Sequence, residues 1–392
     1  MPAKNIRYAD VIIIGAGVIG ASIAYHLSLN GIKNILVVES SPEAGKGSTC
    51  RATGGYRAQF GSKINVQLSL ISRQKLIDFK YEHGIDPGYE PNGYLFLAGN
   101  SQEMTSLTLA NPLQQSCGLR DAMLVSVDDI RELNPHINPE NVIGGSYCPS
   151  DGFIKPMNIL QGYINSAKNN GVEFLYNTKV TGINRSPSNV MSIETSSGTI
   201  KGDVVVNATG AWAAEIAALA GETLPVKKLK RQVCRIKEKN TLPESTPMTI
   251  WVDSSFHFRM REEHLILLFP DEPENNNDLN IEPEWLEKVL TIAKQKISAL
   301  NNCSIDIASS WAGYYEVSPD EHLILGRAES LNNFYYACGS SGHGVMHSPA
   351  IGELLANIIC GKPNEIGWCY RLHNEKLTTQ KTYRSHSNCG QR

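Results

Sequence analysis

The chain has 392 residues, 41% of them hydrophobic and 19% charged, with a formal net charge of −3. These proportions suit a globular protein, the length exceeds one simple core so that two domains are expected, and the charge balance argues against a nucleic-acid binder. Nine cysteines without a C-x-x-C pair give no zinc or thioredoxin-type signature and read as free thiols of a reducing compartment.

Residues 1–10 lead into a short apolar run that is neither a signal peptide nor long enough to span a bilayer. A cytoplasmic protein is expected, with peripheral membrane attachment left open. Residues 10–14 read as a strand buried on both faces, 21–30 as a helix stopped by Gly31, and 35–38 as a second strand ending at Glu39. A β-helix-β unit of this length predicts parallel pairing with a right-handed crossover. The Gly/Ser/Thr-rich residues 40–62 read as a loop, 64–82 as a helix ending at Gly84, and 94–97 as a strand after the Asn92-Gly93 turn. A polar helix or two is expected within 98–144, a helix over 159–170 and a strand over 172–176. Residues 193–200 read as a hairpin about Ser196-Ser197-Gly198 and 203–206 as another buried strand. Antiparallel strands are expected in 225–270, a surface loop at 271–280, an amphipathic helix over 285–300, a strand at 334–337 and a helix over 348–360. The pattern begins as βαβ, passes through a mixed region and returns to a buried strand and helix.

Between the first strand and helix stands Gly15-Ala16-Gly17-Val18-Ile19-Gly20, a G-x-G-x-x-G in the context the fingerprint requires. Gly15 permits the tight turn, Gly17 lets a diphosphate approach the backbone, and Gly20 lets the helix pack on the strand. The helix N-terminus offers free N–H groups and partial positive charge. Glu39, 19 residues after Gly20, suits an acid that accepts from both ribose hydroxyls and would repel a 2′-phosphate. NAD and FAD share this fingerprint, and it does not choose between them.

Further segments resemble the D-amino-acid-oxidase-like superfamily of FAD enzymes, in particular its sarcosine oxidase, glycine oxidase and dye-linked proline dehydrogenase branches, over residues 9–362. They are the loop from Gly47 through Ser48, Thr49, Ala52, Thr53, Gly54 and Gly55 to Arg57; the turn Asn207-Ala208-Thr209-Gly210 with Trp212; and the turn Gly339-Ser340-Ser341-Gly342-His343-Gly344-Val345. The resemblance implies a Rossmann-like FAD-binding domain, discontinuous over 1–85, 145–215 and 320–375, and a mixed, largely antiparallel-sheet substrate domain over 86–144 and 216–319. The fold class is therefore α/β plus α+β, with 376–392 expected to be a flexible tail.

The resemblance also implies roles. Glu39 and Ser40 would meet the ribose, Ser48 and Thr49 the phosphate, residues 52–55 the flavin ring and Val180 the adenine, while the turn 339–346 would stabilise reduced flavin. Arg57 matches the arginine that binds the substrate carboxylate, and Tyr315 a tyrosine lining that pocket; His257 and Arg259 are candidates for its roof. Two departures stand out. Gly313 replaces the cysteine that carries covalent flavin in some relatives, so non-covalent FAD is expected, and Met346 replaces a lysine. No lysine lies in 251–270, where relatives place an oxygen-activating one, which favours a dehydrogenase over an oxidase. The implied reaction oxidises the C–N bond of a small secondary amine or amino acid by moving a hydride from its α-carbon to flavin N5, leaving an imine. No metal site is expected. Oxygen, a quinone or a partner electron-transfer protein remain open as acceptor, as do a homo-oligomer and a place in a larger complex. The alternatives are an NAD-linked dehydrogenase and a non-catalytic FAD subunit or assembly factor.

Overall fold

Strand β1 (Arg7–Ile14), helix α1 (Val18–Leu29) and strand β2 (Ile35–Val38) open the fold in a computed structural model that describes residues 7–271 and 278–364. β1 and β2 pair parallel, Val11 opposite Ile35 through Ile14 opposite Val38. Both faces of β1 are buried. Val11 and Ile13 join one apolar cluster, and Ala9, Ile12 and Ile14 another. That alternation explains why the strand reads as an unbroken apolar run.

After the glycine-rich loop come β3 (Gly55–Tyr56) and the long α2 (Lys63–His83), closed by Gly84 at φ +72, a conformation cheap for glycine alone. The next stretch holds β4 (Tyr94–Ala98), α3 (Ser101–Ser116), β5 (Met123–Val125), α4 (Val127–Leu133) and β6 (Gly144–Cys148). The two expected polar helices are α3 and α4. The strands β5 and β6 were not anticipated, since one has three residues and the other, Gly-Gly-Ser-Tyr-Cys, shows no apolar alternation. β6 lies beyond the boundary expected at 144/145, yet it pairs antiparallel with β4 in the second sheet.

Then follow β7 (Gly152–Phe153), α5 (Pro156–Asn169), β8 (Glu173–Leu175), β9 (Val180–Arg185), β10 (Val190–Thr195), β11 (Gly198–Asn207) and α6 (Ala213–Leu219). The hairpin about the Ser-Ser-Gly turn joins β10 to β11, Thr195 opposite Gly198. Antiparallel β12 (Lys227–Lys239), β13 (Met248–Trp251), β14 (His257–Arg261) and β15 (His264–Leu268) precede α7 (Pro283–Lys296), β16 (Trp311–Val317), β17 (Ile324–Arg327), β18 (Phe334–Cys338) and α8 (Gly344–Ile359). α8 begins four residues before the expected Ser348 because the glycine turn itself starts the helix, and Pro349 is accommodated inside it. The expected tail 376–392 lies outside the described residues.

Among the described residues two eight-stranded sheets result. The first runs β17-β18-β11-β1-β2-β8, with β9 and β10 joined through β11. Its centre is parallel, and β17 pairs antiparallel with β18. The second runs β16-β12-β15-β14-β13-β4-β6-β5 and is antiparallel except where β13 meets β4. The small β3–β7 ribbon forms a sheet of its own. The fold is thus α/β plus a largely antiparallel sheet. Among the described residues no helix is long and apolar enough to cross a membrane.

Helix α1 packs against α5 and α8. A Cβ on Gly352 of α8 would lie 2.1 Å from Ser22 Oγ and 2.7 Å from the Ser22 carbonyl carbon on α1. The two backbones therefore approach more closely than any side chain at 352 allows. Gly352→Leu is expected to destabilise the protein by about 3 kcal/mol or more by overpacking, read as a lowered denaturant midpoint with an unchanged slope.

Candidate active site

Three glycine turns meet at the ends of β1, β11 and β18. Gly15 takes φ +104, and a Cβ there would lie 2.6 Å from the Ala208 carbonyl oxygen on the facing turn. A Cβ on Gly20 would lie 2.0 Å from the Gly15 oxygen, so α1 sits directly on its own turn. Helix α1 has Gly17 as N-cap, no side-chain cap and no acid in its first turn. Its Val18 N–H donates to Thr49 Oγ1 at 3.2 Å. A hydroxyl and a positive helix end thus face one another, an arrangement suited to a diphosphate.

Glu39 spans the neighbouring corner. One carboxylate oxygen accepts from Ala16 N–H at 2.9 Å, the other from Ser41 N–H at 2.8 Å and Ser40 Oγ at 3.2 Å. An acid held beside the turn in this way can accept from a pair of vicinal hydroxyls. Val180 opens β9 and is buried with Ile14 and Val38. Thr209 Oγ1 donates to Asn207 Oδ1 at 2.7 Å, which shapes the turn before Gly210. Trp212 stands edge-on to Tyr314 and close over Gly47. The Ser48 hydroxyl, expected at phosphate, donates instead to the Tyr314 carbonyl at 2.7 Å.

Four consecutive loop carbonyls are held by groups outside the loop. Trp311 Nε1 donates to the Arg51 oxygen at 2.8 Å and Arg261 Nη1 to Ala52 at 3.1 Å. Arg259 Nη1 donates to both Thr53 and Gly54 at 3.0 Å, and Ile154 N–H also reaches Gly54, at 2.8 Å. Arg259 and Arg261 are two apart on β14, hence on one face. The Arg259 guanidinium lies 3.5 Å over the Phe153 ring, and burial pulls its pKa down to about 10. Arg259, expected at the substrate pocket, thus has its described hydrogen bonds on backbone carbonyls, two of them in this loop. Sequence reasoning gave no sign of Arg261, because nothing local marks a cation that binds backbone across two sheets.

Beyond this loop Arg57, Phe60, His343 and Tyr315 gather around a common space, the recess. Arg57 donates to the Gln59 carbonyl at 2.7 Å, lies 3.3 Å from His343 Nε2, and covers the Phe60 ring at 4.0 Å. Those described partners are all neutral. Burial lowers the Arg57 pKa, and the distant charges of Asp151 and Glu321 only partly oppose it. Tyr315 on β16 borders the same space, and a Cβ on Gly342 would lie 2.4 Å from its ring. Tyr315 is 37% exposed, yet burial raises its phenol.

His257, bonded through Nδ1 to the Ser255 carbonyl at 2.7 Å, is lowered to about 4 by burial and by Arg57. His343 is lowered well below its usual value by the same two causes, and His347, 2.9 Å from Ser69 Oγ, to about 3. The recess therefore holds a cation beside neutral imidazoles. Met346 is buried in the apolar cluster shared by α1, α2 and α8. A Cβ on Gly313 would lie 3.0 Å from Arg51 Cβ, so even a small side chain there meets its neighbour.

Asp151, unmarked in the sequence beyond a Pro-Ser-Asp-Gly turn, is fully buried behind Arg57. It accepts from Ala58 N–H at 2.6 Å and from Gln59 Nε2 at 3.2 Å. Burial raises its carboxyl from 3.8 to about 6. A raised acid binds its proton more tightly when folded, so its contribution is present below about pH 4 and lost as pH rises through 6. About two units correspond to about 3 kcal/mol. Asp151→Asn removes this titration. Denaturant unfolding at pH 4 to 7 should show wild-type stability falling by about that amount relative to the variant, and a flat difference would refute the assignment.

A family model described as DAO, FAD dependent oxidoreductase, matches residues 10–358. The chain is 30% identical over 401 residues to FAD-dependent oxidoreductase domain-containing protein 1 of Xenopus laevis, covering 90% of this chain and 79% of that one. It is 24% identical over 380 residues to mitochondrial dimethylglycine dehydrogenase of Rattus norvegicus, covering 91% of this chain but only 43% of that protein. Among solved structures, L-proline dehydrogenase from P. horikoshii superposes with a TM-score of 0.84 at 31% identity, covering 91% and 95% of the two chains. Glycine oxidase from Geobacillus kaustophilus superposes with 0.81 at 23% identity, covering 92% and 96%, a likeness of fold.

Proposed function

The chain belongs to the DAO family of FAD-dependent oxidoreductases, and on that premise we propose that it oxidises the C–N bond of a small secondary amine or amino acid bearing a carboxylate. The observation that carries this reading is Arg57, a half-buried guanidinium whose described partners are neutral, beside the glycine turns. A desolvated cation whose nearest partners are neutral gains from a ligand that brings a negative charge into contact, and guanidinium recognises carboxylate through two parallel N–H bonds. The names of the similar dehydrogenases and oxidases, acting on dimethylglycine, proline and glycine, support the same substrate class.

The residues that would hold FAD are those of the three turns, with Glu39 toward the ribose, the α1 N-terminus and Thr49 toward the diphosphate, and the clamped residues 52–55 along the ring. Bound FAD supplies the two-electron acceptor for a hydride leaving the substrate carbon. Attachment is read as non-covalent, since Gly313 has no nucleophile and Arg51 packs against it. The first sheet is read as the cofactor layer and the second as the substrate layer.

Arg57 fixes the carboxylate, which sets the orientation of the amine-bearing carbon. Its positive charge, in a desolvated recess, favours the neutral amine over the ammonium. The neutral imidazoles of His257 and His343 can accept a hydrogen bond from that amine without adding charge. Tyr315, packed on Gly342, would border the bound substrate.

A dehydrogenase is preferred to an oxidase because 251–270 contains no lysine and the two arginines described there, Arg259 and Arg261, are bonded to loop carbonyls. The seven described cysteines are free thiols, which supports a reducing compartment.

Anaerobic mixing with sarcosine, glycine, L-proline and hydroxyproline should bleach the flavin spectrum with at least one of them. Bleaching by none would overturn the proposal. Arg57→Met should retain FAD while raising the half-saturating concentration of that substrate by roughly 10²-fold, about 2–3 kcal/mol. Reduced enzyme should reoxidise faster with an artificial dye than with air-saturated buffer; the reverse order would make it an oxidase.

A further inference from the structure

Two buried polar groups beside the turns have no use in the reading so far. Glu316 follows Tyr315 on β16, and strand alternation turns it away from the recess toward the glycine turns. It is 8% exposed. Its Oε1 accepts from Ser340 N–H at 3.3 Å, while its buried Oε2 has no hydrogen-bond partner among the described residues. Ser340 is 5% exposed, and its hydroxyl, next to the Glu316 carboxylate, meets no other polar group among the described residues.

Their surroundings are the turns themselves. Glu316 Oε2 lies 3.5 Å from where a Cβ on Gly210 would stand. Ser340 Oγ lies 3.3 Å from a Cβ position on Gly344, the first residue of α8, and that position is also 3.3 Å from the Ile19 side chain on α1. The pair therefore sits among the Gly210 turn, the start of α8 and the start of α1.

Buried polar groups in native proteins rarely lack a partner, and a carboxylate oxygen is the costliest to leave bare. The missing partner must donate to the carboxylate, whereas the hydroxyl can either donate or accept. Phosphate oxygens cannot serve Glu316, since they only accept and its carboxylate would repel them. Aliphatic hydroxyls can. FAD carries a run of them in the ribityl chain, which covalently joins the diphosphate to the flavin ring, as the Glu316–Ser340 pair stands between the α1 and α8 N-termini.

We propose that Glu316 and Ser340 hold the ribityl hydroxyls of FAD, Glu316 as acceptor and Ser340 as second partner. The inference goes beyond the substrate reading and stands on FAD as the cofactor, whatever the substrate is. Burial also raises the Glu316 carboxyl, and hydroxyl donors would offset that desolvation.

The test is FAD titration of the full-length protein stripped of flavin, read by quenching of flavin fluorescence. Two probes are used: FAD, and an FAD analogue whose ribityl chain is replaced by an unhydroxylated pentyl chain. Glu316→Ala should weaken FAD at least tenfold and Ser340→Ala severalfold, while neither changes the affinity of the analogue. Glu316→Gln, which keeps an acceptor oxygen, should recover most of the loss, and it carries the comparison if the alanine variant does not fold. Equal FAD affinity in wild type and variants, or equal weakening of FAD and analogue, would overturn the proposal, because the residues would then be shaping the turns rather than reading the hydroxyls.

Discussion

A loop of small residues has no means of holding its own shape, and here residues 51–54 are held from outside. Their four carbonyls are taken by Trp311 on β16, by Arg261 and Arg259 on β14, and by the backbone of Ile154. Two cations committed to backbone oxygens make a dipole clamp between the sheets. Arg259 can stay buried because two carbonyls and the face of Phe153 replace its water. The cradle of the first sheet and the recess beside the second are in register because this clamp joins them. Thr49, at the α1 N-terminus, lies just before the clamped run, and Arg57 just after it.

Charge in the recess follows from burial. Arg57 keeps its proton because even a lowered guanidinium remains a strong base, while His257, His343 and His347 lose theirs readily near it. One cation and several neutral acceptors then confront the substrate. Asp151 contributes from behind, through the backbone of Ala58 and the side chain of Gln59, which in turn accepts from Ser146. Arg57 is thus fixed by a buried acid it does not touch, and the acid's charge is moderated by the arginine it steadies.

What could be read from the chain alone was whatever chemistry is local in sequence. The β1–α1–β2 unit, the hairpin at Ser196-Ser197-Gly198 and the ends at Gly31 and Gly84 follow from periodicity and from glycine's access to positive φ. Strands β5 and β6 were invisible because their residues become strand-like only when paired with one another and with β4. The same holds at the site. The Gly15–Gly20 turn announces itself, whereas Asp151, Arg261 and Glu316 act on residues far away in sequence and look like an ordinary turn acid, a surface cation and a strand-edge acid. Ser48 shows the converse: a hydroxyl in the expected place whose bond goes to Tyr314.

The first sheet has a bearing on how the protein comes into being. Its central strand β1 is flanked by β2 and β11, β11 by β18, and α1 is covered by α8. The three turns of the cradle are therefore contributed by the beginning, middle and end of the described chain. Such pairings must wait for distant partners, and topologies of this kind fold slowly. During synthesis the emerging N-terminal third presents the apolar faces of β1 and α1 with nothing to cover them. A nascent chain of this kind holds the Gly15–Gly20 turn early but completes the nucleotide site only when α8 arrives, so firm capture of the flavin reports that synthesis has passed α8.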